Sequence, residues 1–268
     1  MLKDITLGQY FPGNSSVHRL DPRTKLIILV LYIVALFCAS NWVSYGVCFT
    51  FLAVTIAISR IPVKSIVRGL KPLVLILVFT GVLNLLFTPG EKILVEFWKI
   101  TITLEGVERA AFMMLRILML ISGTFLLTYT TSPISLTDGL ESLLGPLKKI
   151  HLPVHELSMM MCIALRFIPT LIEETDKIMS AQKARGADFE SGNIFKRIKA
   201  LVPILVPLFI SAFRRAEELA TAMECRCYHG GAGRTKMKLL RFKRGDYVTF
   251  LVGILLLAAV ITLDHFGL

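Results

Sequence analysis

The sequence predicts an all-α polytopic membrane protein, with about five transmembrane helices and two or three long amphipathic helices on the cytoplasmic side. Apolar residues make up 54% of the chain, against about 45–50% in ordinary soluble proteins, and they are concentrated in runs. Five of these runs approach the roughly 20 residues that a spanning helix needs. The segment 131–245 differs from them, because it carries 18 of the 30 Lys and Arg residues and shows helical periodicity.

The five predicted spans lie between charged or turn-forming segments. Residues 26–39 and 43–59 are expected to form an antiparallel pair around a tight turn, with Trp42 and Tyr45 at the membrane interface. The first run is short, so Lys25 is expected to snorkel toward the head groups and let the helix extend. The remaining predicted spans are 73–88, 110–130 and 247–263.

Charge in the connecting segments predicts the orientation. Residues 60–71 contain four basic residues and no acidic one, whereas 90–109 contain four glutamates against three basic residues. Lys and Arg are enriched in cytoplasmic loops. We therefore expect the N-terminus and the segment 131–245 in the cytoplasm, and the C-terminus outside. Beside hydrophobic spans, this orientation explains the net charge of +11 better than nucleic-acid binding does.

The chain is expected to have three regions. Residues 1–130 form an N-terminal transmembrane region with four spans, 131–245 form a cytoplasmic domain, and 246–268 form a C-terminal transmembrane helix. The middle region is too long for a connecting loop and too regular for a disordered segment.

Three helices are predicted within this cytoplasmic domain. Ser132 and Pro133 are a typical N-cap and first-turn pair, which opens a short helix. Pro153 opens a longer amphipathic helix, for which Gly186 is a plausible C-cap residue. The third helix is expected over about 199–225, with two prolines kinking its first turns.

The two long amphipathic helices end in similar motifs. Residues 181–186 read Ala-Gln-Lys-Ala-Arg-Gly and residues 222–227 read Ala-Met-Glu-Cys-Arg-Cys. An arginine between small residues projects freely, and its five donors suit carboxylates or carbonyls of another protein. For either motif alone, a basic residue favoured by the helix dipole is the simpler explanation. The pair indicates two docking points, at Ala184, Arg185, Gly186, Cys225, Arg226 and Cys227.

Other candidate sites do not fit their chemistry. The glycine-rich segment 230–235 has Arg234 where a phosphate loop needs lysine, and its glycine spacing is wrong. Cys225, Cys227 and His229 have ligand-type side chains, but the cysteines are closer than in usual zinc sites and a fourth ligand is missing. We therefore predict no metal, no cofactor and no catalytic residue.

Arg116 is the one charged residue inside the predicted spans, which contain no carboxylate. It either snorkels outward or meets a neighbouring helix, and the sequence does not decide between them. Ion-coupled carriers usually have ionisable groups along an intramembrane pathway. An independent secondary transporter therefore remains the alternative, and a scaffold that acts with other subunits is the preferred interpretation.

Several short motifs complete the pattern and extend over nearly the whole chain. They are Gly8-Gln9-Tyr10-x-Pro12-Gly13-x-Ser15, His18-Arg19-Leu20-Asp21-Pro22-Arg23-x-Lys25, Thr130-Thr131-Ser132-Pro133, Arg166-Phe167-Ile168-Pro169, Gly233-Arg234-Thr235-Lys236 and the two arginine motifs, the second continuing to Tyr228. Together they resemble the transmembrane coupling component of energy-coupling factor (ECF) transporters, of the CbiQ-like family.

The resemblance implies a function for the helix ends. In that family the membrane protein lies between two ABC-type ATPase subunits and one substrate-binding membrane subunit, the S component. The arginine motifs end coupling helices that dock on the ATPases, which implies this role for Arg185 and Arg226. The apolar faces would hold the S component among membrane lipid, and ATP-driven movement would tip it in the bilayer. The resemblance also implies that the chain is a non-catalytic subunit of the cell membrane that serves micronutrient uptake and binds no nucleic acid.

The chain departs from the family at the second motif. Cys225-Arg226-Cys227 stands where many relatives have Ala-Arg-Gly, so the arginine and small neighbours are kept but the glycine that favours a helix cap is absent. The motifs are more similar to members that serve several vitamin-binding subunits than to those dedicated to cobalt or nickel.

Overall fold

The computed structural model describes residues 10–88, 93–97, 100–150, 153–189, 193–230 and 239–267. Within these ranges the chain is predominantly helical, with one short antiparallel hairpin between α4 and α5. The helices are Pro22–Cys38 (α1), Trp42–Ser59 (α2), Val63–Leu70 (α3), Val74–Phe87 (α4), Leu104–Thr130 (α5), Pro133–Leu143 (α6), Val154–Ala184 (α7), Ile194–Cys225 (α8) and Arg244–His265 (α9), and the strands are Ile93–Phe97 (β1) and Ile100–Thr103 (β2).

Among the described residues, five helical stretches are long and apolar enough to cross a membrane. They are Trp42–Ser59, Val63–Phe87, Leu104–Thr130, Val154–Ala184 and Arg244–His265. The predicted all-α polytopic fold is thus confirmed, and four of the five predicted spans lie in these stretches. The two sets differ at α1 and α7. α1 has 17 residues, at the short limit for a span, whereas α7 also meets the requirement by length and composition.

The chain divides into two compact units. One contains the described residues of 140–239, with α7 and α8. The other contains the described residues of 8–139 and 240–268, with α1 to α5 and α9. The core of this second unit consists of apolar side chains from α1, α2, α5 and α9. Its buried members are Tyr32, Ala35, Leu36, Ala39, Tyr45, Cys48, Leu52, Met119, Leu256 and Val260.

The N-terminal motif has a structural role in this second unit. Asp21 is the N-cap of α1, and its carboxylate accepts a hydrogen bond from the Arg23 amide at 3.0 Å. The buried Asp246 carboxylate accepts from the Asp21 amide at 2.9 Å and from the Lys243 amide at 2.7 Å. The Lys25 ammonium donates to the Thr130 carbonyl at 2.9 Å. These bonds join the start of α1, the end of α5 and the start of α9.

Arg116 binds the neighbouring helices of its own chain. Its Nη2 donates to the Ala39 carbonyl at 3.0 Å, and its Nε donates to the Tyr45 hydroxyl at 2.9 Å. The guanidinium also lies over the rings of Phe37 and Tyr45. Ala39 is the C-cap residue of α1, so the cation satisfies a carbonyl at a helix end, where positive charge is favoured. Of the two alternatives for Arg116, contact with neighbouring helices is the one observed.

Candidate docking site at two helix ends

The end of α7 is a Schellman motif centred on Arg185. The Gly186 amide donates to the Lys183 carbonyl and the Ala187 amide donates to the Gln182 carbonyl, each at 3.0 Å. Gly186 has a φ of +86°, in the left-handed region that this cap requires. Arg185 is therefore the C-cap residue, half inside the helix. The C-cap therefore lies one residue before the predicted Gly186, and Gly186 takes the left-handed position that follows the cap and ends the helix.

The end of α8 repeats this arrangement around Arg226. The Cys227 amide donates to the Glu224 carbonyl at 2.8 Å, and the Tyr228 amide donates to the Met223 carbonyl at 3.0 Å. α8 ends at Cys225, as predicted, and it begins at Ile194, five residues before the predicted start. The two arginines thus occupy the same position in two equivalent caps.

The cap of α8 forms without glycine. Cys227 has a φ of +56°, in the left-handed region that ordinary side chains avoid at a cost of about 1–2 kcal/mol. The sequence had given no reason to expect a left-handed cap at this position. The cap forms nevertheless, because its two hydrogen bonds satisfy carbonyls that would otherwise be left unpaired at the helix end.

All six residues of the predicted site are exposed. The guanidinium groups of Arg185 and Arg226 make no hydrogen bond or ion pair with any residue that the structure describes. Each cation stands at the negative end of a helix dipole. The arrangement therefore presents two planar guanidinium groups, on backbone positions that the caps fix, which can bind acidic or carbonyl groups of another protein.

An ion pair joins α7 to α8 and relates the two caps. Arg215 Nη2 lies 2.9 Å from Glu174 Oε2. Arg185 is 11 residues beyond Glu174, and Arg226 is 11 residues beyond Arg215. At 1.5 Å per residue, each cap lies about 16 Å along its helix from this contact.

The two segments between the contact and the caps, 175–184 and 216–225, contain no proline and no glycine. We call them the α7 arm and the α8 arm. The prolines of these helices, Pro169, Pro203 and Pro207, all precede the contact. Since sharp helix kinks need a proline, a glycine or an inserted group, the arms are expected to be stiff.

A wide apolar surface accompanies the two caps. On α8 the exposed apolar residues recur every three or four positions, so they share one face, which we call the α8 apolar face. It comprises Phe195, Ile198, Leu201, Val202, Leu205, Val206, Phe209, Ile210 and Phe213. On α7, Leu157, Met160 and Met161 are also exposed. Monomeric soluble proteins rarely leave so large a patch uncovered, so this surface is suited to another protein or to lipid.

Sequence reasoning missed the pairing of Glu174 with Arg215. The two residues are 41 positions apart, and no local pattern links them. Other predicted features lie outside the described residues. They are Gly8 and Gln9 of the first motif and the motif at 233–236, together with most of the glycine-rich segment.

Comparisons with known proteins agree on one family. A sequence model of the CbiQ family, described as a cobalt transport protein, matches residues 13–238. The chain is 53% identical over 262 residues to the energy-coupling factor transporter transmembrane protein EcfT of Thermosediminibacter oceani, which covers 97% of this chain and 98% of that protein. The EcfT of Acidaminococcus fermentans is 55% identical over 253 residues, covering 94% of each chain.

The EcfT of Bacillus subtilis is 49% identical over 261 residues, covering 97% of this chain and 98% of that protein. These matches run almost from end to end and span the positions of both arginine motifs. The family predicted from the short motifs is therefore confirmed. Taken with the five apolar helices, they identify a multi-pass membrane protein: the chain belongs to the CbiQ family and, within it, to the EcfT transmembrane components of energy-coupling factor transporters.

Proposed function

We propose that this chain is the coupling subunit of an ATP-driven importer. It transmits conformational changes from two ABC-type ATPase subunits to one substrate-binding membrane subunit, the S component. The cargo is a vitamin or another micronutrient that the S component recognises. ATP is hydrolysed by the partner ATPases, and this chain contributes docking and mechanical transmission.

The observation that carries the proposal is the equivalence of the two caps. Two exposed arginines occupy the same position of two Schellman motifs, at equal distances from one interhelical ion pair. A pair of equivalent docking groups suits two ATPase subunits that are themselves similar to one another. The bidentate geometry of each guanidinium suits an acidic or carbonyl-lined groove on each ATPase.

In this proposal α7 and α8 lie on the cytoplasmic side of the membrane. α7 has the length of a span, but its residues 173–177 include four charged side chains. Each charge costs about 2.5–3.5 kcal/mol at the centre of a bilayer. An interfacial position leaves these charges in water and the apolar faces of α7 and α8 against the S component or lipid. The N-terminus is then also cytoplasmic.

Charge reversal at the caps tests the docking role. Arg185→Glu combined with Arg226→Glu is expected to abolish co-purification of the ATPases and to abolish uptake, while the amount of protein in the membrane stays the same. Lys196→Glu combined with Lys199→Glu is the matched control, because it reverses two exposed cations on α8 far from the caps. The docking role is wrong if the arginine variant still assembles and transports like the wild type.

The native cysteines report the orientation. Cys225 and Cys227 are exposed on either side of Arg226, whereas Cys48 is buried. A membrane-impermeant maleimide is expected to label them in inside-out vesicles and not in intact cells. Bound ATPases are expected to protect them. Labelling from outside the cell would contradict the cytoplasmic position of α8.

Transport by the isolated chain tests the alternative function. The purified chain, reconstituted alone in liposomes, is expected to move no solute under an imposed proton or sodium gradient. Uptake driven by such a gradient would instead support an independent secondary transporter.

A further inference from the structure

A crevice of about 530 Å³ lies among four helices of the unit that contains the N-terminal spans. α1, α2, α5 and α9 line it with about two turns each, for example from Lys25 to Tyr32 on α1 and from Gly245 to Val252 on α9. Seven helical residues rise about 10 Å, so the crevice is about this deep. The surface that lines it is almost entirely apolar.

The crevice is closed at one end and open at the side. At the closed end, the buried Tyr32 ring lies 3.0 Å from the position that a Cβ on Gly123 would take. At the side, the lining residues Val54 of α2 and Val248 of α9 are 51% and 61% exposed. The opening therefore lies between α2 and α9. Both helices have the length and composition of spans, so this opening faces the hydrocarbon of the bilayer.

Exposed cations adjoin the lining at the end opposite Tyr32. Arg19 precedes the lining residue Leu20, Arg244 precedes the lining residue Gly245, and Arg60 is two positions beyond Ile58, which also lines the crevice. None of the three side chains has a hydrogen bond or an ion pair with the described part of the chain. Three exposed arginines within two positions of residues that line an apolar crevice are complementary to an anion that carries a hydrocarbon chain.

Lys25 also lines the crevice, but its donors are already used. The ammonium group donates to the carbonyls of Thr130 and His18 and to the Thr131 hydroxyl. An anion at this end is therefore expected to bind the three arginines rather than Lys25.

We propose that this crevice is a binding site for an anionic phospholipid. One acyl chain enters between α2 and α9 and packs against the crevice as far as Tyr32, and the phosphate lies against Arg19, Arg60 and Arg244. The bilayer supplies this ligand directly at the lateral opening. Filling the crevice restores contacts that its lining would otherwise lack, because protein interiors are packed without large voids.

Photolabelling tests the site. The full-length chain is reconstituted in nanodiscs with phosphatidylglycerol that carries a diazirine on one acyl chain, and the labelled peptides are identified by mass spectrometry. Label is expected on the peptides with Val54 and Val248. Thr249→Trp, which fills the crevice, is expected to remove at least nine-tenths of the label from these peptides. Leu251→Trp is the matched control, because Leu251 is exposed on α9 and does not line the crevice.

Three arginine variants test binding of the head group without altering the crevice. A cation near a membrane surface contributes about 1 kcal/mol to anionic-lipid binding, which is about fivefold. Each of Arg19→Gln, Arg60→Gln and Arg244→Gln is therefore expected to lower labelling by phosphatidylglycerol about fivefold relative to a phosphatidylcholine probe. Equal labelling of Thr249→Trp and Leu251→Trp would overturn the site. So would equal labelling of the wild type by both lipids, or a cross-link from the crevice to residues 1–9.

Discussion

Replacing Gly186 by alanine is expected to lower the free energy needed to open the end of α7 by about 1 kcal/mol. A Cβ at this position would meet no atom within 4 Å, so side-chain crowding contributes nothing. The cost arises from the left-handed backbone, φ +86°, which disfavours alanine by about 1–2 kcal/mol. Alanine also reduces the freedom of the unfolded chain, which offsets about 0.4–1 kcal/mol. The remaining 1 kcal/mol, approximately, corresponds to about fivefold in the equilibrium constant for opening.

Hydrogen exchange measured by mass spectrometry checks this estimate. The amides of Gly186 and Ala187 donate the two hydrogen bonds of the cap, so both are expected to exchange about fivefold faster in Gly186→Ala. Gly145→Ala is the control, because a Cβ there also meets nothing and its backbone is not left-handed. Its own amide is expected to exchange no faster than in the wild type. Unchanged exchange at residues 186 and 187 in Gly186→Ala would refute the strain argument.

Three further predictions concern the second cap, the contact between α7 and α8, and the half-buried Arg116. Cys227→Gly is expected to slow exchange of the Cys227 amide about two- to fivefold, because it relieves the left-handed strain. A double-mutant cycle of Glu174→Gln and Arg215→Met is expected to give a small coupling free energy that weakens as salt is added, since both side chains are partly exposed. Arg116→Met is expected to lower the free energy of unfolding in detergent by about 1–3 kcal/mol, because it removes two hydrogen bonds. Arg109→Met, on the exposed face of α5, is expected to leave this free energy unchanged.

Local signals were sufficient to predict where the long helices end. Gly186 stops α7 after Ala184, because helix termination depends on backbone conformation within a few residues. The end of α8 at Cys225 was predicted from its matching motif, although the left-handed cap at Cys227 was not. The apolar runs likewise predicted most of the spans. The start of α8 was predicted five residues too late, although Asn193, a residue type that is favoured as an N-cap, directly precedes Ile194.

Features that depend on distant residues could not be predicted. The hairpin Ile93–Phe97 with Ile100–Thr103 needs cross-strand pairing that the acidic loop sequence does not indicate. The hydrogen-bond partners of Arg116 belong to two other helices. Two of the three partners of Lys25, Thr130 and Thr131, are more than a hundred residues away in the sequence. The phospholipid site is another such case, because four helices must meet before the crevice exists.

The equal arms have a mechanical consequence. If α7 and α8 rotate about the Glu174–Arg215 contact, each arginine is the tip of a lever about 16 Å long. A change of about 10° in crossing angle, shared equally between the two helices, then moves each tip by about 1.4 Å, so the distance between the tips changes by about 3 Å. In the proposed function, these equal arms would give the two ATPase subunits the same leverage on this chain. An insertion of four residues in the α7 arm would lengthen that arm alone, so the two caps would move by unequal distances.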